Sequence, residues 1–184
     1  MFRHKNLTGQ LAYSLCTLAI CLFAFVGCSS DSNPAGPDQN PTPVVKKPAH
    51  IVVSSIQVNG FKNKDWDASE LINAWKKADI YVTLARTGGG EDFVSDVRQD
   101  ASPSSNYTFT KTGVPLGKNL PLSYLYVDKL TIKLYDRDVF SNEIMSTITF
   151  DPKDLYANDE ATTFSKSLTG ANGAKITVRG EWKY

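Results

Sequence analysis

Apolar and polar residues alternate along most of the chain after residue 49, which is the pattern of half-buried β-strands. Between residues 130 and 135, for example, Leu130, Ile132 and Leu134 point to one side and polar residues occupy the positions between them. Gly, Pro and Asn clusters separate these runs and supply turns. The pattern predicts eight strands, at residues 51–58, 79–86, 92–99, 107–111, 127–135, 144–150, 162–168 and 174–184.

Eight short strands at this spacing predict an all-β fold, an antiparallel β-sandwich, over residues 49–184. The exception is 68–78, where Leu71, Ile72 and Trp75 share one face at helical spacing. We expect a short helix there, inserted in the loop between the first two strands. The ordinary role of its apolar stripe is to pack on the core.

The N-terminal part is predicted to be removed or unstructured. Arg3 and Lys5 precede an apolar run, 11–26, which is shorter than the roughly 20 residues that span a bilayer. The layout predicts a secretory signal over 1–27; an uncleaved membrane anchor is the alternative. Residues 28–48 begin at Cys28 and are rich in Ser, Asp, Asn and Pro, which predicts a disordered tether.

The end of the apolar run resembles a bacterial lipoprotein signal, in which a small residue, here Gly27, precedes a Cys that is diacylated. The resemblance implies lipidation of Cys28 and anchoring to a membrane. Ser29 after this Cys favours the outer membrane, without deciding which face. Phe25 stands where the family usually has Leu, which is a mild departure.

Cysteine usage and charge exclude several other classes of protein. Cys28 is the only Cys outside the predicted signal, so the domain has no disulfide. The formal net charge of +1 provides no basic field for nucleic acid. His50 is the only His after the signal, so Cys/His nucleophiles and the common zinc sites are absent. We therefore expect no enzyme; Asp136 with Asp138 as a glycosidase pair is the catalytic alternative.

Acidic residues gather where one strand ends and the next begins. Asp136 and Asp138 follow the 127–135 strand, Glu143 precedes the next strand, and Asp79 opens an earlier one. Close carboxylates repel by about 4 kcal/mol per pair at an effective dielectric of about 20. A calcium ion, which takes six to eight oxygen ligands, would neutralise them. The alternative is that these acids form turns, with Arg137, Lys62 or Lys64 as counter-charges.

Residues 50–184 resemble a C2 domain, the calcium-dependent lipid-binding sandwich. Ala78–Asp79–Ile80–Tyr81–Val82 stands in the place of that family's Ser-Asp-Pro-Tyr-Val segment, and Asp136–Arg137–Asp138 in the place of its Asp-x-Asp. The strand order looks like the circularly permuted form, with the extra strand last. The resemblance implies calcium as cofactor, with Asp65, Asp67, Asp79, Asp136, Asp138 and Glu143 as ligands. The enlarged first loop, Glu143 in place of Asp and Met145 in place of Gly depart from the pattern.

Trp66, Val139 and Phe140 lie at predicted loop tips beside the acids, and apolar tips over a bound cation imply contact with a membrane or partner. The alternatives are that Trp66 packs on the Trp75 helix and Phe140 fills its own loop. The sequence thus predicts an exported outer-membrane lipoprotein whose C2-like domain binds calcium and docks phospholipid, protein or glycan. The alternatives are a calcium-independent structural or adhesion module of the envelope and a small hydrolase.

Overall fold

The computed structural model describes residues 46–62, 77–138, 141–157 and 161–184. The chain divides into two units, 1–42 and 43–184, and all of the described residues lie in the second. Among the described residues, helices are limited to α1 (Pro152–Leu155) and a 3₁₀ turn (Ala171–Gly173). The strands are β1 (His50–Gly60), β2 (Ala78–Arg86), β3 (Glu91–Val94), β4 (Arg98–Ala101), β5 (Tyr107–Phe109), β6 (Leu122–Leu125), β7 (Leu130–Asp136), β8 (Glu143–Phe150), β9 (Thr163–Thr169) and β10 (Lys175–Lys183).

The strands form two antiparallel sheets in which ten strands occupy eight positions. In the first sheet β1 pairs with β10, which pairs with β9, and β5 and β6 lie end to end along the other side of β1. In the second sheet β7 lies between β2 and β8, and β3 and β4 lie end to end along β2. Each sheet therefore has four strand positions, one of which is divided.

The core lies between the two sheets and is built from the alternating apolar positions. In β7, Leu130, Ile132 and Leu134 are fully buried, and the residues between them are half-buried on the outer face. Ile56 and Val58 of β1 belong to the same buried cluster. The alternation in the sequence thus became the inward and outward faces of each strand, because successive side chains of a strand point to opposite sides.

The predicted all-β antiparallel sandwich is confirmed, and several boundaries differ. The predicted 92–99 strand is divided into β3 and β4 around Ser95, whose N–H and hydroxyl both bind the backbone of Val82. β6, α1 and the 3₁₀ turn were not predicted. The predicted 68–78 helix lies outside the described residues except at its end, where the prediction was wrong because Ala78 begins β2.

Candidate metal-binding site

Acidic residues from several elements meet at one end of the sandwich, here called the acid end: Asp79, Asp100, Asp136, Asp138 and Glu143. The sheet register brings them together, since Asp136 is paired with Ile80 of β2 on one side and with Glu143 of β8 on the other. The sequence placed Asp136 and Glu143 in a loop, but the structure places them at the end of β7 and the start of β8. Ladder pairing extends one residue further than the apolar alternation.

The Asp136 side chain is buried. It continues the inward-facing series of β7 and is 0% exposed. Its Oδ1 accepts a hydrogen bond from the backbone N–H of Asp79 at 2.7 Å. Its Oδ2 is also buried, and no described residue donates a hydrogen bond to it. A carboxylate in this position is only half satisfied, and such groups are costly unless a counter-charge or further donors reach them.

The surroundings oppose ionisation of Asp136. Burial raises the pKa of its carboxyl above the ordinary value, and the hydrogen bond from Asp79 N–H lowers it. The neighbouring carboxylates of Asp138, Asp79 and Glu143 each raise this pKa further. The neighbouring carboxylates thus make the surroundings of Asp136 unfavourable for its negative charge, and a cation beside it would be stabilised.

Asp79 links three segments of the acid end. Its Oδ1 accepts the backbone N–H of Asp100 at 2.8 Å, and its backbone carbonyl accepts the N–H of Arg137 at 2.9 Å. Asp100 has a φ of 53°, a left-handed conformation that Asp tolerates better than most residues. Asp100 was not among the predicted site residues, because its contact with Asp79 follows from the pairing of β4 with β2, which only the structure shows.

Asp138 adds a second unsatisfied oxygen. Its Oδ1 is buried and has no hydrogen-bond partner among the described residues. Glu143 is half-buried and does make an interaction. The ion pairs between described residues use other acids, namely Arg86–Asp128, Arg98–Asp96, Lys153–Asp151 and Lys183–Glu181.

Several residues of the predicted site lie outside the described residues, namely Asp65, Trp66, Asp67, Val139, Phe140, the predicted counter-charge Lys64, and Cys28. Within the described ranges, no group of three or more His, Cys, Asp or Glu side chains is arranged to hold a metal ion. The described residues thus bring four of the six predicted ligands to one end without closing a coordination shell.

The donors that are present suit a hard cation. The two orphaned atoms, Asp136 Oδ2 and Asp138 Oδ1, are carboxylate oxygens, the ligand type that calcium prefers. Softer metals would call for Cys or His, and the acid end has neither among its described residues. Among the described residues of the acid end, Asp136 and Asp138 are thus the two that have a buried oxygen without a hydrogen-bond partner.

Comparisons with known proteins give no family assignment. No family model matches the sequence, and no curated protein does either. Similar solved structures include a C2 domain, with a TM-score of 0.48 and 12% identity over 74% of this chain and 99% of the other. A calcium-bound structure of two C2 domains of extended synaptotagmin 2 has a TM-score of 0.46 and 17% identity over 74% of this chain and 46% of the other.

A C2 domain of plant extended synaptotagmin 1 has a TM-score of 0.43 and 17% identity, over 75% of this chain and 97% of that domain. At these identities and TM-scores the likeness carries no conclusion about what this chain does. In the described part of the chain, no helix has the length and apolar character needed to cross a membrane.

Proposed function

We propose that this chain is a non-catalytic lipoprotein of the cell envelope, anchored through Cys28, whose C2-like domain binds calcium at the acid end. In the calcium-bound state the acid end docks an anionic surface, such as a phospholipid headgroup, or a protein or glycan partner. Asp136, Asp138 and Asp79 hold the ion, with Glu143 beside them and Asp65 and Asp67 as the expected ligands from the preceding loop.

One observation carries the calcium proposal, which is the buried Asp136 carboxylate with a single hydrogen bond. A fully buried charge that lacks partners is destabilising by several kcal/mol. No Lys or Arg in the described ranges forms an ion pair with it. A divalent cation relieves both the desolvation and the repulsion from Asp138, because it is the counter-charge to both carboxylates.

The acid end lies at the opposite end of the domain from the start of β1. The described chain enters β1 at His50, and β1 ends at Gly60, next to the acid end. At about 3.4 Å per residue, the 11 residues of β1 separate the two ends by roughly 35 Å. A partner can therefore reach the acid end without approaching the end of the domain where β1 begins.

A calcium-independent structural module is the second candidate, and a specific observation favours it. Asp136 and Asp79 each already accept a backbone N–H, so both carboxylates tie strands together without a metal. In this function the acids are caps of the sandwich end. The two proposals differ in how stability responds to calcium.

Thermal unfolding of the full chain in detergent, in calcium and in chelator, separates them. Calcium at 100 times its Kd adds about 2.7 kcal/mol to the unfolding free energy. Sites in extracellular modules have Kd values of about 0.1–1 mM, so the titration has to reach about 10–100 mM metal for this gain. The double variant Asp136→Asn with Asp138→Asn should lose this gain. The same melting shift in wild type and double variant, or no shift in wild type, ends the calcium proposal.

The matched control removes two acids at the other end of the domain, Asp154→Asn with Glu181→Gln. Both side chains are exposed. Asp154 is in α1, which follows the far end of β8, and Glu181 is near the end of β10, far from the acid end. This control changes the net charge equally and should keep the calcium shift. Its loss would mean that calcium acts through overall charge and not through a site.

The anchor is tested separately. Metabolic labelling with a radioactive fatty acid should mark the wild-type chain and leave a Cys28→Ala chain unlabelled. The Cys28→Ala chain should also leave the membrane fraction. Its retention there would contradict anchoring through this Cys and would favour an uncleaved membrane segment.

A further inference from the structure

The end of the sandwich opposite the acid end, here called the tether end, is where the predicted tether joins the domain. Lys46 is the first residue of the described chain, and Pro48 is already buried. The Ala49 N–H donates to the Lys183 carbonyl at 2.7 Å, and the Ala49 carbonyl accepts the Tyr126 N–H at 2.9 Å. The chain is therefore fixed to this end of the sandwich within a few residues of Lys46.

Exposed apolar side chains gather at the tether end. Of the six large apolar residues that are exposed in the described ranges, three lie here: Leu125, Val127 and Tyr184. Leu125 is paired with His50 at the start of β1, and Leu125 and Val127 flank Tyr126 in the turn between β6 and β7. Their side chains are 49% and 64% exposed. Turns normally carry Gly, Pro, Asn, Asp or Ser, so the turn itself does not require these two apolar residues.

The turn that carries Leu125 and Val127 is ordered. The Asp128 N–H donates to the Leu125 carbonyl at 3.0 Å, and the Leu125 N–H donates back to Asp128 Oδ2 at 2.9 Å. Between the two apolar residues, the ring of Tyr126 packs edge-on against Trp182, with 6.1 Å between the ring centroids. Because the turn is already ordered while Leu125 and Val127 stay exposed, a binding partner has little further ordering to impose.

Lysines adjoin these apolar residues. Lys46 Nζ lies over the ring of Tyr184, 5.7 Å from its centroid. Lys47 follows directly, Lys129 comes just after the turn, and all three lysines are exposed. None of them forms an ion pair with a described residue. Apolar side chains surrounded by aromatic rings and lysines suit the boundary between a bilayer and water, where the rings and the lysine stems contact apolar groups and the charges stay at the headgroups.

From this placement we infer that, given the proposed anchoring, the tether end docks on the same lipid surface that holds the N-terminal part of the chain. Lys46 lies 18 positions after Cys28, which corresponds to roughly 55 Å at about 3.1 Å per extended residue. Attachment through so short a linker gives an effective concentration on the order of millimolar, so even a small contact is populated. A soluble partner has no such advantage. The acid end, roughly 35 Å away, stays free for its own partner.

The test measures which end of the domain lies nearer to lipid. The full chain is reconstituted in mixed phosphatidylethanolamine and phosphatidylglycerol vesicles, in chelator, with acceptor dyes on the lipid. A donor dye is attached to Thr163→Cys or to Thr169→Cys. Both residues are exposed at opposite ends of β9, opposite Glu181 and Lys175 respectively, and the six residues between them correspond to about 20 Å. The label at position 163 should transfer severalfold more energy to the lipid than the label at position 169.

The double variant Leu125→Asn with Val127→Asn should lower the ratio of docked to undocked chains about tenfold, because two partly exposed apolar side chains no longer enter the bilayer surface. Leu125→Met with Val127→Met keeps the apolar surface and should dock as wild type does. The matched control is Leu116→Asn. Leu116 is 105% exposed, and its turn lies away from the tether end, where Val114 lines a pocket with Arg137. This control should leave the transfer from both labels unchanged.

The lysines are tested by lipid composition. Lys46→Gln with Lys47→Gln should lower the docked ratio about tenfold on the anionic vesicles, since a lysine near an anionic surface contributes about a factor of five. On vesicles of phosphatidylcholine alone, the same variant should dock as wild type does. An unchanged ratio on the anionic vesicles would contradict the proposed contact with headgroups.

Equal transfer from the two labels, or more from position 169, overturns the inference. It is also overturned if Leu125→Asn with Val127→Asn docks as wild type does. Energy transfer between two chains that this variant abolishes would assign the apolar residues to a second copy instead. A chain that does not float with the vesicles would contradict the proposed anchoring as well, whereas equal transfer from a floating chain contradicts the docking alone. Because every measurement is made in chelator, none depends on calcium.

Discussion

Replacement of Asp136 by Asn should have opposite effects on stability in chelator and in calcium. Asn keeps the size of the side chain and an oxygen that can accept the Asp79 N–H. In the wild type this hydrogen bond is 2.7 Å long. It removes the negative charge of a carboxylate that is 0% exposed. In chelator, wild type has to bury that charge beside Asp138 and Glu143, whereas the variant does not.

The magnitude follows from two terms. An uncompensated buried charge costs about 3–5 kcal/mol, and its removal is the gain. The opposing term comes from the N–H₂ group of the introduced amide, which takes the place of Oδ2, an oxygen that has no described partner. If this N–H₂ group stays unpaired, it costs about 1–3 kcal/mol. We therefore expect the variant to be more stable than wild type in chelator by about 2 kcal/mol.

In calcium the order should reverse, because wild type gains about 2.7 kcal/mol at 100 times Kd and the variant loses most of that gain. Chemical denaturation in both buffers, with a linear extrapolation for each, measures the four free energies. A variant that is destabilised by the same amount in chelator and in calcium would refute the reasoning. That result would show Asp136 to be a structural cap whose charge is already compensated.

The pH dependence in chelator gives an independent check of the same group. Because its pKa is raised in the folded state above the ordinary 3.8, folded Asp136 holds its proton more tightly than the unfolded chain does. The cost of its charge is absent below the unfolded pKa and appears as the pH rises through the folded one. The advantage of Asp136→Asn over wild type should therefore shrink as the pH falls from 7 toward 4. A constant difference across this range would contradict the raised pKa.

Two further predictions concern close packing and a divided strand. Gly180→Ala should lower the unfolding free energy by about 3 kcal/mol or more, because its Cβ would stand 1.9 Å from the Val52 carbonyl oxygen. The control is Gly90→Ala, whose Cβ would have nothing within 4 Å and should change the unfolding free energy by less than about 0.5 kcal/mol. Equal effects of the two substitutions would show that β10 shifts freely. Ser95→Ala should lower the unfolding free energy by about 1–3 kcal/mol, because the buried Val82 N–H loses its hydroxyl acceptor at 2.9 Å. Denaturant unfolding measures the change, and an unchanged midpoint would mean that another acceptor replaces the hydroxyl.

The alternation of apolar residues was sufficient to predict the sandwich, and its limits are visible in particular strands. β7 was predicted well because Leu130, Ile132 and Leu134 are separated by polar residues. Its last residue was misplaced because Asp136 is an inward-facing acid, which a pattern of apolar positions cannot include. β6 was missed because its partner in the sheet is the first part of β1, a contact between distant parts of the chain.

The sequence predicted which residues lie at the acid end better than it predicted their contacts. Asp79, Asp136, Asp138 and Glu143 were found from their positions at strand ends, and the antiparallel register brought them together. Asp100 was missed because its role depends on its backbone N–H reaching Asp79, which no property of the residue itself announces.

The sequence by itself determined the strands, the inward faces and the concentration of acids at strand ends, because these depend on residues close together in the chain. Only the tertiary structure decided that Asp136 is buried with one oxygen unsatisfied, and that the Asp79 carboxylate accepts the backbone N–H of Asp100. Both features arise from contacts between segments far apart in the chain, which depend on register and packing and not on local preference.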